Sequence, residues 1–261
     1  MNTLRFMTYN IRNMNDDTGE HCWANRKPLM AGLLQLRDPD IYCVQEAFHP
    51  QMEFLLEAVP GYASCGVGRD DGGIEGEYSA IFYKTDRFEL VSQRTYWLSE
   101  TPDVPSRGWD APKHKRICTK ATLREKATGE EICVGSLHLD HEGVQARIKG
   151  AELVRELFLP DVGKRQCFIA GDFNAVTVHD CYKAMNQPPF WDARLSAVEY
   201  DDIGTFHGYH MDRYRCEYGP IDHVFCCDGP WKPQIADIIA AKHGGNFPSD
   251  HFPLMITFTR A

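Results

Sequence analysis

The chain has 261 residues, 43% of them hydrophobic and 25% charged, with a formal net charge of −9. This is the composition of an ordinary globular chain long enough to bury a substantial core. The acid excess argues against a broad electrostatic grip on nucleic acid, but leaves room for an acidic pocket that reaches phosphate through a metal ion. No repeat, low-complexity tract or linker interrupts the sequence, so one domain over residues 1–261 is expected. No apolar run approaches a membrane span, and no basic segment with a following apolar stretch opens the chain. A cytoplasmic location is therefore expected, or a secreted or periplasmic one if a leader has been removed. Ten cysteines are present without a CxxC pair, and most lie in apolar runs, which reads as buried free thiols.

In chain order, "LRFMTYNI" alternates roughly and ends near Asn10, as a strand would. "NRKPLMAGLLQLRDPD" reads as a helix with Leu29, Leu33 and Leu36 on one face, Pro28 in its first turn and Pro39 as its stop. "DIYCVQE", a strand ending at Glu46, and "YSAIFYK" follow, then "EICVGSLHLD". "EGVQARIKGAELVRELFLP" predicts a second helix, with Val144, Ile148, Ala151 and Val154 on one face and Pro160 at its end. "CFIAGDFN" reads as a strand, "TVHDCYKAMNQPP" as a short helix capped by Thr177, and "IDHVFCC" and "LMITFTR" as the last strands. Strands and helices mix without a strict βαβ rhythm, which predicts two stacked sheets with helices outside.

The polar residues fall in an informative place. Asn10, Glu46, His138, Asp140, Asp172, Asn174, Asp222, Asp250 and His251 all stand at or beside the end of an apolar run. Residues i and i+2 of a strand share a face, so Asp172 is expected beside Asn174 and His138 beside Asp140. Several strand ends converging on one pocket would gather these groups. Glu46 is a hard oxygen ligand and Asn10 offers a carbonyl oxygen, a pair that suits Mg²⁺. Asp172 would align or deprotonate water, Asn174 would bind that water or a phosphoryl oxygen, and His251 would face phosphate. Each residue alone has an ordinary reading: a satisfied strand amide, an Asp/Asn turn, a core histidine, a loop. Their occurrence together in this order is what speaks for metal-assisted phosphoester hydrolysis.

The same residues carry a resemblance. "TYNIR", "VQE", "LHLDH", "GDFN", "IDHVF" and "SDHFP", in that order from Thr8 to Pro253, resemble the endonuclease/exonuclease/phosphatase superfamily of DNase I-like and apurinic endonuclease-like hydrolases. The segment "WLSETPDVPSRGWDAPKHKR" is similar to a bacterial branch of that superfamily. The resemblance implies an α/β, four-layered sandwich: two packed mixed sheets flanked by helices. It implies metal binding by Glu46 and Asn10, with Asp250 as a metal or supporting ligand, and Mg²⁺ as the ion with Mn²⁺ as the alternative. Asp172 and Asn174 match the residues that activate and position the nucleophile. His251 matches the phosphate-facing histidine, Asp222 the aspartate that orients it, and His138 a histidine on the scissile phosphate. Arg116 and Asp140 are candidates for substrate binding, Arg116 at an anion and Asp140 at the pocket edge. Glu77 is a candidate lining residue and His207, His210 and His243 candidate rim residues, whereas Tyr78, Trp97 and Trp109 read as packing aromatics. The implied substrate is a phosphoester, either a small molecule or nucleic acid, with no protein partner readable. A small-molecule phosphomonoesterase and a non-catalytic binding module on the same fold are the alternatives. The loops at 97–116 and 202–218 are expected to select the substrate.

Overall fold

A computed structural model describes residues 2–15, 19–210, 219–243 and 245–261. One sheet contains Thr3–Asn10 (β1), Ile41–Ala47 (β2), Tyr62–Cys65 (β3), Tyr78–Lys84 (β4), Glu199–Tyr200 (β10), Trp231–Ile238 (β12) and Leu254–Arg260 (β13). The other contains Phe88–Trp97 (β5), Ile117–Glu125 (β6), Glu131–His138 (β7), Gln166–Asp172 (β8), Trp191–Asp192 (β9) and Asp222–Cys226 (β11). Their orders are β10-β12-β13-β1-β2-β4-β3 and β5-β6-β7-β8-β11-β9. Both are mixed: β1 runs parallel to β2 and antiparallel to β13, and β8 runs parallel to β7 and antiparallel to β11. Helices Trp23–Arg37 (α1) and His49–Ala58 (α2) cover the first sheet, and Val144–Phe158 (α3) and Asp180–Met185 (α4) the second.

The core accordingly lies in three apolar layers. Phe6, Ile81, Val134, Phe168 and Phe258 pack between the sheets. Tyr9, Tyr42 and Phe82 meet Met30, Leu34 and Leu55 of the first helix pair. Leu137, Ile169 and Phe225 meet Val154, Phe158 and Met185 on the far side. Successive residues of one strand feed different layers, as the period of two demands: Phe6 points between the sheets and Met7 toward the helices. The roughly alternating pattern expected of "LRFMTYNI" becomes burial of nearly every residue, because both faces of β1 are covered. The four-layered α/β sandwich is the observed fold.

The helices differ in detail from their sequence patterns. α1 begins at Trp23, so Pro28 lies inside it rather than in its first turn; Pro28 and Ala24 are both exposed, and the carbonyl deprived of its donor faces water. Leu33 of the expected face is buried, together with Trp23, Arg26, Met30, Ala31 and Leu34, whereas Leu29 is half-buried and Leu36 is 70% exposed, because the stripe packed against the sheet is turned from the Leu29–Leu36 line. In α3, Val144 at the first position is exposed, while Ala146, Gly150, Ala151, Val154 and Phe158 are buried; Leu159–Asp161 ends it in a tight 3₁₀ turn at Pro160. α4 starts at Asp180 after an extended His179, with no side-chain cap from Thr177. All nine described cysteines are free, eight of them buried. Among the described residues no helix is long and apolar enough to cross a membrane.

Register then sets up the chemistry. In β7–β8, His138 stands opposite Asp172, and in β11–β8, Asp222 stands opposite the same Asp172. Gly171 makes that approach feasible, since a Cβ there would sit 1.9 Å from the Leu137 carbonyl oxygen. We expect Gly171→Ala to force β7 and β8 apart and to cost roughly 3 kcal/mol or more. A thermal melt checks this, with a Tm lowered by roughly 6 °C or more; an unchanged Tm would contradict the packing argument.

Candidate active site

Nine stretches of the chain meet at one end of the sandwich, around a cavity of about 400 Å³ lined by Glu46, His138, Asp172, Asn174 and His251 among others. Asn10 is the last residue of β1 and is fully buried. Its Nδ2 donates to Glu46 Oε1 and to Asp172 Oδ2, both at 2.9 Å, while its Oδ1 accepts the Arg12 backbone N–H at 3.0 Å. This network orients the amide. Asn10 thus turns N–H groups, not the expected carbonyl oxygen, toward the two carboxylates and ties them together.

Glu46 does not simply terminate β2. It sits in a β-bulge between Gln45 and Ala47 with φ of 65°, a conformation that re-aims its side chain out of the sheet. Its Oε2 accepts from the backbone N–H and Nδ2 of Asn13 at 3.1 and 3.2 Å. Asn13 was not singled out from the sequence, although it directly follows the "TYNIR" motif.

Asp172 ends β8 and is 1% exposed. Burial, then the facing Asp222, push its carboxyl up to about 7. Asn174 reaches the pocket by a route other than the expected strand alternation. β8 has ended, and a left-handed backbone (φ 47°) turns Asn174 so that its N–H caps Asp172 Oδ1 at 2.8 Å. Asn174 Nδ2 then meets His138 Nε2 at 3.0 Å and donates to the Leu139 carbonyl at 3.1 Å. His138 Nε2 lies 3.5 Å from Asp172 Oδ2. Burial, then the positive charges of Arg116 and Arg69, hold the His138 imidazole well below its ordinary pKa, so it is neutral.

His251 has the opposite character. Its Nδ1 meets Asp222 Oδ2 at 2.8 Å and its Nε2 lies 3.8 Å from Asp172 Oδ2. Burial alone would lower it, but Asp222 and then Asp172 outweigh burial and push it up to about 10, so it carries a positive charge. One buried centre therefore holds a neutral and a cationic histidine on either side of a single carboxylate.

The remaining sequence candidates divide. Arg116 lines the cavity and is 6% exposed. Asp140 is buried 3.5 Å from Arg116 Nε, with Oδ1 accepting the N–H groups of Glu142 and Gly143; it supports Arg116 and the start of α3 instead of lining the cavity. Asp250 lines the cavity, but its Oδ2 is 2.8 Å from Arg12 Nη1 and it does not group with Glu46. Glu77 lines the cavity, pushed up to about 7 by burial, and pairs with Arg69. Arg12 and Arg69 carried no periodic signal, since both lie in loops. Tyr78 and Trp97 are buried packing groups, with the Trp97 indole N–H donating to the Arg69 carbonyl at 2.7 Å; Trp109 is half-buried. His207 is fully buried and stacked on Phe252; burial, and then the charge of His251, hold it down to about 4, so it lies beneath the rim. His210 and His243 do not line the cavity. Residues 211–218, part of the expected substrate-selecting rim, and Gly244 fall outside the described residues.

The donor set suits a hard divalent cation. Glu46, His138 and Asp172 bring ligand atoms within 4.8 Å of one another, as do Asp172, Asp222 and His251. Burial, and then the facing Asp222, make the ionised Asp172 carboxyl costly, a cost that a bound cation would offset. Glu46 and Asp172 are the oxygen donors placed to hold such an ion, with Asn10 spacing them.

Comparison with known proteins is consistent with this geometry. The profile described as "Endonuclease/Exonuclease/phosphatase family" matches residues 7–251. The structure of an endonuclease/exonuclease/phosphatase family protein from Bacteroides thetaiotaomicron superposes with a TM-score of 0.91 at 36% identity, covering 99% of this chain and 98% of that one. A mannosyl-6-phosphatase from the same organism gives 0.90 at 36% identity, covering 98% and 99%. Drosophila melanogaster nocturnin is 26% identical over 90% of this chain, which spans only 42% of the nocturnin sequence. An uncharacterized mimivirus protein is 30% identical over 58% of this chain and 59% of its own length. The chain thus spans less than two thirds of these curated relatives.

Proposed function

The chain belongs to the endonuclease/exonuclease/phosphatase family of phosphoester hydrolases, and on that premise we propose that it is a divalent-metal-dependent phosphomonoesterase acting on a small phosphorylated sugar. One observation carries the reading: Arg12, Arg69, Arg116 and the cationic His251 line the same cavity of about 400 Å³ as Glu46 and Asp172. A terminal phosphate presents two negative charges where a diester presents one, and a cluster of guanidinium groups suits the former. A cavity of this size fits a small ligand, and the chain's overall charge of −9 suits no polyanion. The 36% identity to a mannosyl-6-phosphatase across nearly all of both chains points the same way.

The residues take the following roles. Asp172, its Oδ1 capped by the Asn174 N–H, aligns the attacking water and accepts its proton. His251, held by Asp222, donates from Nε2 to a phosphoryl oxygen as charge builds there. On the opposite side of the cavity, Asn174 donates to the neutral His138 and to the Leu139 carbonyl, and this brace fixes the turn that caps Asp172. Arg116, braced by Asp140, and Arg69, braced by Glu77, bind the non-bridging oxygens. Bound at Glu46 and Asp172, Mg²⁺ or Mn²⁺ would supply Lewis-acid neutralisation of phosphate charge.

Phosphate release from mannose 6-phosphate and glucose 6-phosphate, set against bis-p-nitrophenyl phosphate, single-stranded DNA and RNA, tests the reading. We expect monoester hydrolysis to require Mg²⁺ or Mn²⁺, to stop on chelation, and to exceed diester hydrolysis by about 100-fold, the scale of a few well-placed charged contacts. Faster cleavage of a diester or of nucleic acid would overturn it.

A further inference from the structure

Beside the reacting centre, three loops bring Arg69 and Arg116 against two histidines that the roles above leave without a partner in the substrate. Arg69 lies in the loop before β4, His114 and Arg116 in the loop before β6, and His141 in the loop after β7. Arg69 Nη2 meets His114 Nδ1 at 3.1 Å, and Arg116 Nη2 meets His141 Nδ1 at 2.8 Å. The two imidazoles stand 5.7 Å apart, centre to centre. All four side chains line the cavity.

These contacts have one consistent arrangement of protons. A guanidinium has only donors, so each Nδ1 must accept, and each ring must carry its proton on Nε2. Each arginine thereby fixes the tautomer of a histidine that follows it toward the cavity mouth. The arginines are anchored from behind. Arg69 is 8% exposed and paired with Glu77, and Arg116 is 6% exposed with Asp140 3.5 Å from its Nε. Both Nε atoms are buried, so the Nη groups are what each arginine presents to the histidines and the cavity. His141 is the more open ring, and its Nε2 lies 3.2 Å from the half-exposed Glu142, a contact weak enough for a ligand to share.

We propose that His114 and His141, with Arg69 and Arg116 behind them, form a wall of N–H donors that recognises the hydroxyl oxygens of the alcohol part of the phosphomonoester. The wall makes a polyhydroxylated leaving group a better substrate than an aryl or alkyl one of similar size. This inference rests on the monoesterase reading and adds to it the residues that choose the alcohol. A hydrogen-bonding site discriminates by the partners it leaves unmet, so each lost donor is worth about tenfold in specificity.

The experiment compares kcat/KM for mannose 6-phosphate with that for p-nitrophenyl phosphate, in the wild type and in His114→Phe, which keeps a planar ring without the N–H. The expected result is a ratio at least tenfold lower in the variant, with the loss mainly in KM for the sugar phosphate. His141→Phe, at a more exposed position, reads the same ratio should His114→Phe fail to fold. Nitrogen-15 NMR of the wild-type imidazoles provides a second readout, with Nε2–H expected on both rings. A Nδ1–H tautomer on either ring, or an unchanged ratio in an enzyme that hydrolyses p-nitrophenyl phosphate, overturns this inference alone. Failure of the wild type to hydrolyse any monoester overturns the functional reading, and this inference with it.

Discussion

Asp172→Asn is expected to remove at least about 10³ of the turnover rate and, at the same time, to make the metal-free protein more stable at pH 8. The first effect follows from the role of the carboxylate as the group that aligns and deprotonates water, because such a base and its charge typically supply this much. The second follows from burial. The carboxyl is pushed up to about 7 from an ordinary 3.8, so the folded protein holds this proton more tightly than the unfolded chain does. Ionising it is therefore a net cost that begins as pH rises above about 4 and is complete above about 7. Asparagine has no charge to bury. Against this gain, of a few kcal/mol in order of magnitude, stands the loss of the acceptor that Asp172 Oδ2 offers to Asn10, worth about 1 kcal/mol. In chelator at pH 8 the variant should melt roughly 5 °C higher, and at pH 4 the difference should vanish or reverse. Added Mg²⁺ should raise the wild-type Tm and leave that of the variant nearly unmoved. A variant less stable than wild type at pH 8 in chelator would show that the buried charge is already compensated.

That trade of stability for chemistry also explains what was legible in the sequence. Seven buried strands, β1, β2, β4, β7, β8, β11 and β13, could be read from runs rich in apolar, β-branched and aromatic residues; β6, equally buried, could not, because Thr119, Lys120, Thr122 and Arg124 interrupt its apolar run. β5 carried no such run: it is the edge of its sheet and six consecutive residues in it are exposed. β12 is interrupted by Pro233 and an adjacent shift in register. Asn10, Glu46, Asp172, Asn174, Asp222 and His251 stood out because acids, amides and histidines at the ends of apolar runs are locally inconsistent with the strands they terminate. Their geometry was hidden. The bulge at Glu46 and the left-handed turn at Asn174 depend on backbone conformations that the residue names do not specify. The orientation of the Asn10 amide depends on an N–H two residues along and on acids far away in the chain. Arg12, Asn13, Arg69 and His114 sit in loops, where no periodicity exists to be violated. Their contribution appears only when the strand ends have brought those loops together.

The aspartate behind His251 gives the second large effect, and it separates a cationic histidine from a merely structural one. His251 is pushed up to about 10 although burial works against it, and the first charge that outweighs burial is Asp222, 2.8 Å from its Nδ1. A raised histidine is protonated below its folded pKa, so the activity that depends on the cation is present at neutral pH and is lost as pH rises through about 10. Its contribution to stability has the same sign, being full below the ordinary 6.5 and lost through the same interval. Asp222→Asn removes that main source of stabilisation and leaves burial in place, so the alkaline limb of kcat/KM should move down by two pH units or more. At pH 8.5 the variant should retain about a quarter or less of its pH 6.5 activity, since a limb moved from about 10 to about 8 leaves roughly that fraction of the cationic form. The wild type should be nearly flat over that interval. The acidic limb, set by Asp172 and lowered when a cation is bound, should move far less, because Asp222 ranks behind burial among its causes. Parallel pH profiles of kcat/KM from pH 6 to 10 for the two proteins provide the measurement. An alkaline limb that stays in place when Asp222 is neutral would mean that His251 does not act as a cation. The positive charge facing the phosphate would then have to come from Arg12, Arg69 and Arg116.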